Sequence, residues 1–428
     1  MAYLDPEFVP LPEGWVSKEL KDVVEIHNTK RKPLSARVRE GCKGIYPYCG
    51  ANAVVDHIDE YRFDGEFVLV AEDGGHWGKH ESSSYIMRGK FWVNNHAHVV
   101  CAKQGVTTNV FFSNIVNYLN IDPFIGGDAR GKLTKAILQQ LAIPLPPLPE
   151  QKKIAHILST VQRAIEAQER IIQATTELKK ALMHKLFTEG LRNEPHKQTE
   201  IGFVPESWEV VNLGDVINLF AGYAFKSKEG VPASNTQLLR MGNLYQNSLD
   251  LSRKPIFYPD SFVEDHSRFV LKEGDMVMSL TGTSGKEDYG FTVQIPRTEK
   301  TLLLNQRVTR IDITDDRLQK DFAHHFLLSR KFLDFLYPTA KGMKQANLST
   351  NAMKALKVVL PDAKEQAEIA TCFKSLDQKV VVTEHKVATL QNLFRTLLHE
   401  LMTAKNRVHK LELSAQNQGA ELHHGSSN

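Results

Sequence analysis

Two long stretches of the chain, residues 149–188 and 363–405, carry apolar residues at a spacing of seven. Past Pro149, neither stretch contains a proline or a glycine. The spacing selects two apolar rows on each stretch, a seam made of Ile154, Leu158, Val161, Ile165, Ile172, Leu182 and Leu186 in the first and of Ile369, Phe373, Leu376, Val380, Val387, Leu390, Phe394, Leu397 and Leu401 in the second. A seam of about five heptads predicts a coiled coil, and about 1.5 Å of rise per residue makes each helix about 60 Å long.

A long helix with one narrow apolar stripe needs a partner, and each predicted helix finds one in the other. Antiparallel pairing would place the two globular halves of the chain at opposite ends of a rod with approximate two-fold symmetry. Gln168, Thr175 and Lys179 interrupt the seam of the first helix. They either fix the register or meet another protein, as polar seam residues can, or they form a wet stretch of the seam.

The regions before the two helices repeat each other. The matched blocks are Leu11-Pro12-Glu13-Gly14-Trp15 with Val204-Pro205-Glu206-Ser207-Trp208, Gly65-Glu66-Phe67-Val68 with Gly274-Asp275-Met276-Val277, Asn95 with Asn305, Leu133-Thr134 with Leu348-Ser349, and Glu150-Gln151 with Glu365-Gln366. The separation is 193 residues at first, then 209–210 and finally 215. Because it changes only between matched blocks, the halves share a scaffold and differ in their loops, which is where binding specificity usually resides.

The shared scaffold predicts an α/β fold in two tandem copies, each followed by a long helix. Short strands alternate with Gly- and Asn-rich turns, and residues 63–70 and 270–277 each look like a turn that leads into a buried strand. Each copy closes on a short helix with Thr134 or Ser349 at its N-cap. Trp15 and Trp208 are predicted to anchor the two cores. The predicted division is a first globular domain at 11–148, the first long helix at 149–188, a linker at 189–203, a second globular domain at 204–362, the second long helix at 363–405 and a flexible tail at 406–428.

Composition places few limits on the function. The chain has 428 residues, 42% of them hydrophobic and 24% charged, and a net charge of +3 that neither indicates nor excludes nucleic acid. No stretch approaches the roughly 20 apolar residues of a membrane span, and the first residues lack the features of a secretory signal, so we predict a cytoplasmic protein. Cys42, Cys49, Cys101 and Cys372 lack Cys-x-x-Cys and zinc-ligand spacing, which predicts reduced thiols and no metal site.

Motifs that would indicate catalysis are incomplete. Residues 126–133 nearly match the phosphate-binding pattern Gly-x4-Gly-Lys-Ser/Thr, but Leu133 stands where a magnesium-binding hydroxyl is needed. Their counterpart, residues 340–347, keeps only a basic character, which suits either a loop on a phosphate backbone or a solvated turn. His96 and His98 have no evident carboxylate or cysteine partner, so hydrogen bonding is favoured over metal binding. We predict no catalysis in this chain.

Together these features resemble the specificity subunits of type I restriction–modification systems, over about residues 11–405. The resemblance is carried by the paired Pro-Glu-x-Trp openings, by Asn94-Asn95-His96-Ala97-His98-Val99, by Ile143-Pro144-Leu145-Pro146-Pro147-Leu148-Pro149-Glu150-Gln151, and by Leu186-Phe187-Thr188-Glu189-Gly190-Leu191 followed by Thr199-Glu200-Ile201-Gly202. The second half lacks the proline cluster in residues 360–366, so the two long helices are not expected to begin in the same way.

In that family each globular unit is a target-recognition domain that reads one half of a split site in double-stranded DNA. The resemblance implies that the helices set the gap between the halves and dock two modification (methyltransferase) subunits, and that two restriction (motor-nuclease) subunits complete the complex. It implies a non-catalytic chain without a cofactor, S-adenosylmethionine and ATP with magnesium being bound by the partners. Because the loops of the halves differ, the site should be asymmetric. The alternative is a coiled-coil protein-interaction scaffold without DNA specificity.

The candidate DNA-binding residues lie in loops that differ between the halves. They are Lys30, Arg31, Lys32, His76, Trp77, Lys79, His80, Arg130 and Lys132 in the first half, and Tyr223, Phe225, Lys226, Arg240, Thr283, Ser284, Lys286, Lys341, Lys344, Gln345 and Asn347 in the second. Lysine and arginine bind phosphates or guanine O6 and N7, and glutamine or asparagine pairs with adenine. The glycines on both sides of His76 and Trp77 would let these side chains approach a groove closely.

Overall fold

The structure, a computed structural model, describes residues 5–8, 10–126, 131–339 and 345–408. The chain forms two compact units. Unit 1 joins the chain up to Arg170 to the chain from Glu384 onward, and unit 2 runs from Ile171 to Thr383. Among the helices of these described ranges, none is long and apolar enough to span a membrane. Most of the predicted tail, from residue 409 onward, lies outside the described residues.

The first half of the chain builds a mixed domain. Its strands are β1 (Val16–Glu19), β2 (Val24–Ile26), β3 (Lys43–Cys49), β4 (Val54–Ile58), β5 (Phe63–Ala71), β6 (Ser84–Val93), β7 (Ala97–Ala102) and β8 (Ala142–Leu145). Its helices are α1 (Leu20–Val23), α2 (Ala36–Glu40), α3 (Asn109–Tyr118), α4 (Lys135–Gln140) and the long α5 (Leu148–Glu189), with 3₁₀ turns at Pro6–Phe8, Asn28–Lys30 and Asp122–Phe124. The strand predicted within 63–70 is longer than expected, because its first residues pair with β6 instead of forming a turn, and the short capped helix is confirmed.

Six of these strands form one sheet in the order β2-β7-β5-β6-β3-β4. Along β5 the buried side chains alternate between two clusters, because successive residues of a strand point to opposite faces. Val68 and Val70 pack into the cluster that contains Phe111 of α3, whereas Leu69 packs with Phe91 on the other face. Covering on both faces explains why the end of β5 is a continuous apolar run.

The second half uses shorter strands. They are β9 (His196–Thr199), β10 (Gly202–Pro205), β11 (Glu209–Asn212), β12 (Ile217–Ala221), β13 (Thr236–Leu239), β14 (Phe257–Tyr258), β15 (Val270–Leu271), β16 (Met276–Ser279), β17 (Thr281–Thr283), β18 (Thr292–Gln294), β19 (Thr301–Leu304), β20 (Val308–Ile313), β21 (Gln345–Asn347) and β22 (Lys357–Leu360). Two four-stranded sheets have the orders β12-β20-β16-β18 and β14-β13-β19-β15. The helices are α6 (Leu213–Val216), α7 (Phe262–Asp265), α8 (Lys320–Leu327), α9 (Arg330–Leu336), α10 (Thr350–Lys354) and the long α11 (Ala363–Met402), with 3₁₀ turns at Ser227–Glu229, Met241–Asn247, Ser267–Phe269 and Tyr337–Thr339.

The duplicated motifs form equivalent strand pairs, buried tryptophans and helix N-caps in both halves. β1 pairs with β8 and β11 pairs with β22, antiparallel in both cases. The paired tryptophans are buried, Trp15 at 5% exposure and Trp208 at 1%. Thr134 accepts a hydrogen bond from the N–H of Ile137, and Ser349 accepts one from Ala352, so both predicted N-caps are confirmed.

A duplicated Glu-Gln pair fastens each long helix to its surroundings. The Gln151 amide donates to the Pro146 carbonyl (2.9 Å), and the Gln366 amide donates to the Pro361 carbonyl (2.8 Å). Glu150 is bound by the Arg407 guanidinium at 2.8 and 3.0 Å within unit 1. In unit 2 Glu365 accepts from the Leu191 N–H (2.7 Å). Buried carboxylates require such partners, so each pair holds the end of one helix beside the start of the other.

The helices pair antiparallel inside each unit, as the heptads predict. In unit 1 Ile154 and Leu158 of α5 share a core with Leu398 and Leu401 of α11. In unit 2 Phe187 stacks on Phe373, with 5.4 Å between ring centroids. Every residue of the predicted seam is buried or half-buried. The helices begin at Leu148 and Ala363 and end at Glu189 and Met402, so α11 stops three residues before the predicted position 405.

Candidate DNA interface

Backbone hydrogen bonds draw four loops of unit 1 into one place, which we call the first loop corner (residues 27–32, 72–76, 94–98 and 131–133). Glu72, directly after β5, donates its N–H to the His96 carbonyl and accepts at its own carbonyl from Leu133, both at 2.8 Å. The His27 N–H donates to the Val99 carbonyl at 2.7 Å. The corner therefore collects segments that lie up to about 100 residues apart in sequence at the ends of β2, β5 and β7, and loops held by such a scaffold commonly bind ligands.

Unit 2 repeats this arrangement in the second loop corner (residues 222–226, 280–286, 305–307 and 345–348). By its backbone bonds Leu280 takes the place of Glu72, one residue earlier than the matched sequence blocks predict: its N–H donates to the Arg307 carbonyl and its own carbonyl accepts from Leu348, both at 2.9 Å. The pairing of β17 with β21 sets Thr283 opposite Gln345 and Thr281 opposite Asn347. The backbone of the two corners is alike, and the side chains on it differ.

The first corner contains a compact ionic network around Glu72, which is 9% exposed. The Arg31 guanidinium donates to Glu72 Oε2 at 2.6 Å, and Lys132 Nζ lies 3.1 Å from Oε1. Arg31 also donates to the Ala97 carbonyl at 2.8 Å, and its side chain is only 14% exposed. The Arg31 guanidinium, which was predicted to contact DNA, thus makes most of its contacts within the protein, because a buried cation needs polar partners.

The two histidines of the corner make hydrogen bonds, which agrees with the interpretation that their sequence favours. His98 Nε2 donates to the Leu133 carbonyl (2.7 Å), so its Nδ1 is the acceptor for the Asn28 amide (2.8 Å). Burial lowers the pKa of His98, which keeps the imidazole neutral. His96 binds the Asp73 carboxylate. Among the described residues no group of three His, Cys, Asp or Glu side chains could hold a metal ion.

Trp77 requires a correction, because the structure places it in the core rather than at the surface. The ring is 6% exposed and its N–H donates to the Ala71 carbonyl at 3.3 Å. A Cβ added to Gly75 or Gly131 would come within 3.0 or 3.2 Å of the ring. These glycines therefore let the chain pack closely on Trp77, and they do not serve to bring it to a DNA groove.

The other candidates of unit 1 divide into two groups. Lys30, Lys32, His76 and Lys132 are exposed in the first loop corner. Lys79 and His80 lie apart from it: Lys79 binds Glu7 at 2.6 Å, and the His80 ring is 4.9 Å from that of Tyr118. Each of these two side chains therefore has a partner near it and is not part of the first loop corner. Arg130 lies outside the described residues.

In unit 2 most candidates come together. Tyr223, Lys226, Thr283, Lys286 and Asn347 are exposed in the second loop corner, and Ser284 is half-buried there. Thr283 is held by Asp288, which accepts from its N–H at 2.6 Å and from its hydroxyl at 2.7 Å. Arg240 sits beside the corner, since the neighbouring Met241 sulfur accepts from the Thr281 hydroxyl at 2.8 Å. Lys341, Lys344 and the side chain of Gln345 lie outside the described residues.

Phe225 is half-buried and belongs to an aromatic cluster. Its ring centroid lies 5.0 Å from that of Tyr223, 5.1 Å from His266 and 5.3 Å from Tyr258. Tyr223, 39% exposed, is the exposed member of these four. Phe225 therefore supports Tyr223, and the tyrosine is the better candidate for a contact with a base.

Sequence reasoning missed the acids that organise the corners, Glu72 and Asp288. An acidic residue directly after a buried strand was the available signal for Glu72. For Asp288 the sequence offered none, because it acts through a turn whose geometry the sequence does not reveal.

The chain is similar in sequence to proteins of one family. A family model described as the type I restriction modification DNA specificity domain matches residues 12–176 and again residues 205–392. The MjaVIII type I restriction enzyme specificity subunit of Methanocaldococcus jannaschii is 27% identical over 424 residues, which cover 94% of this chain and 95% of that protein. A putative type I restriction enzyme specificity subunit of Haemophilus influenzae is 29% identical over 363 residues, covering 84% and 87%.

A solved structure agrees with the fold. The crystal structure of the S subunit of a type I restriction–modification system from M. genitalium matches with a TM-score of 0.58 and 15% identity, covering 93% of this chain and 99% of that chain. At this identity the match shows a common fold and leaves the loop residues to be interpreted from their own geometry.

Proposed function

Because the chain belongs to the family of type I restriction–modification DNA specificity domains, we propose that its two domains read the two halves of a split DNA site. The observation that carries the proposal is the duplicated loop corner, in which one backbone arrangement bears two different sets of side chains. A shared frame places both corners on DNA in the same way, and different side chains read different bases. The site is accordingly asymmetric.

The chain acts as a subunit of a larger complex. We propose that the paired long helices dock two modification subunits and that two restriction subunits complete the assembly. The chain itself is non-catalytic, and S-adenosylmethionine and ATP with magnesium are bound by the partner subunits. Calorimetric titration of S-adenosylmethionine tests this division: we expect heat of binding from the complex with the modification subunit and none from the isolated chain. Binding by the isolated chain would contradict it.

The reading function is tested by sequencing adenine methylation in cells that express this chain together with its modification subunit. Cells that express the modification subunit alone are the control. We expect a new split motif with a fixed gap, which appears only when both are present. If no motif appears although the two proteins co-purify, the chain is a protein-interaction scaffold without DNA specificity.

A further inference from the structure

At one equivalent position of the two loop corners the backbone hydrogen bonds are the same, but one side chain is charged and the other is apolar. Glu72 occupies it in the first corner and Leu280, 8% exposed, occupies it in the second. Leu280 packs among apolar residues of its core. A carboxylate at this position is costly to bury and needs cationic partners, so it organises the corner in a way that leucine cannot.

Through its side chain, Glu72 connects its own segment of the first corner to two others. Arg31 reaches it from the loop after β2, and Lys132 reaches it from the segment before α4. Burial by itself would raise the pKa of Glu72, but Arg31 and Lys132 outweigh it and the pKa is lowered. The side chain is therefore an anion that two cations share.

The two cations differ in how far they can reach. Arg31 is enclosed, whereas the Lys132 side chain is 49% exposed and can touch a phosphate or a base while it remains beside Glu72. A lysine on its flexible stem would otherwise sample many positions and bind any nearby phosphate. The ion pair with Glu72 restricts its ammonium to positions beside the carboxylate.

We propose that Glu72 is a positioning residue for DNA reading by the first domain: its carboxylate fixes Lys132 and the loop of Arg31, and so limits this domain to its correct half-site. The inference rests on the proposed DNA-reading function and adds a specific residue to it. Glu72 contributes to discrimination between sequences, while its negative charge opposes binding to DNA in general.

The test is the Glu72→Gln substitution in the full chain complexed with its modification subunit, because glutamine keeps the shape and removes the charge. Binding is measured by fluorescence anisotropy at several salt concentrations. The duplexes carry the intact site, one changed base pair in the first half, one changed base pair in the second half, or an unrelated sequence. We expect about a tenfold loss of discrimination in the first half and none in the second. Affinity for the unrelated duplex should rise.

The opposite signs of these effects separate positioning from a structural role. If Glu72 only stabilised the fold, Glu72→Gln would weaken binding to all duplexes together, and that result overturns the inference, as does unchanged discrimination in the first half. Glu66→Gln is the matched control, since Glu66 lies on the same strand β5 and pairs with Arg88 away from the corner (2.7 Å). Its binding profile should equal that of the wild type.

Coupling to Lys132 is tested by a double-mutant cycle. Lys132→Gln alone should also lose first-half discrimination, and adding Glu72→Gln to it should cost less than Glu72→Gln costs in the wild type, because the two residues share one contact. Fully additive losses would overturn the inference. A wild-type complex that distinguishes neither half would instead refute the proposed DNA-reading function itself.

Discussion

Lys286 offers a residue-scale test of the second loop corner. Its N–H donates to the Thr283 carbonyl at 3.0 Å, which forms the turn, and its side chain is exposed. We expect Lys286→Ala to weaken recognition of the second half-site by about 1–3 kcal/mol, as loss of one base or phosphate contact does, and to leave the first half unchanged. Anisotropy titrations on duplexes altered in one half measure this. Lys272→Ala, an exposed lysine of unit 2 outside the corner, is the control, and loss of both halves would point to misfolding.

His325 gives unit 2 a dependence on pH. Burial, helped by the nearby charges of His324 and Lys179, lowers its pKa to about 4, while Asp377 and Asp321 act in the opposite direction. The unfolded chain takes up a proton near pH 6.5 and the folded chain does not, so stability is lost as the pH falls from about 6.5 to about 4. The loss reaches about 3 kcal/mol at most.

The measurement is the urea midpoint of unfolding between pH 7 and pH 4 for the wild type and for His325→Phe. The midpoint should fall less steeply in the variant, because phenylalanine keeps the ring beside Phe373 and cannot be protonated. His385→Gln, which removes an exposed histidine of α11, should follow the wild type. Parallel curves for wild type and His325→Phe would show that His325 is not the group responsible.

Individual side chains were the least predictable level. Lys30 and Lys132 are exposed in the first loop corner, as expected for basic loops. Arg31, next to Lys30, instead turns inward and binds Glu72. The sequence marks all three as basic and carries no sign of which one meets a buried acid from a distant segment. Trp77 was misplaced for a similar reason, because flanking glycines permit close packing in a core as readily as at a groove.

At the scale of elements, the hydrophobic periodicity was sufficient to predict the two long helices, which pair with each other through one seam. The seam predicts both long helices to within a few residues, and the matched Asn95 and Asn305 come shortly before β7 and β20. The sheet order was not predictable. β3 pairs parallel with β6 and has an irregular register against β4. Such pairings depend on the loops between the strands, and the hydrophobic periodicity of the sequence does not reveal them.

The structure gives partners to two of the three polar seam residues, Thr175 and Lys179. Thr175 is buried and its hydroxyl donates to the Ile171 carbonyl at 2.7 Å within its own helix. Lys179 forms an ion pair with Asp377 of α11, and its side chain is 22% exposed. Register-setting by this charge pair is therefore favoured over a wet stretch, since a shifted register would leave a lysine facing apolar seam residues.

Lys179→Ala tests this element-scale role. We expect it to destabilise unit 2 by about 1 kcal/mol, the value of a partly exposed ion pair, as measured by the urea midpoint. The exchange Lys179→Asp with Asp377→Lys should recover most of the loss. Lys180→Ala, next to it on the exposed face, is the control and should stay within about 0.5 kcal/mol of the wild type. No recovery in the exchanged pair would contradict a charge-based register.

At the scale of the whole molecule, duplication gives two readers on one chain, and the long helices connect them. α5 passes from unit 1 to unit 2 at Arg170, and α11 returns at Thr383. The apolar seam continues through both positions, so each helix is one uninterrupted element. We propose that this helix pair sets the gap between the half-sites, independently of which bases the corners read.

Insertion of one heptad after Arg170 and one after Thr383 tests the gap directly. Seven residues preserve the phase of the seam and add about 10 Å to each helix. At 3.4 Å per base pair, the gap in the methylated motif should lengthen by about three base pairs, with both half-sites unchanged. Insertion in only one helix is the control and should abolish methylation, because the two seams then no longer match. An unchanged gap after the double insertion would show that something other than the helix pair measures the distance, since both corners would then be positioned by contacts that the added length does not move.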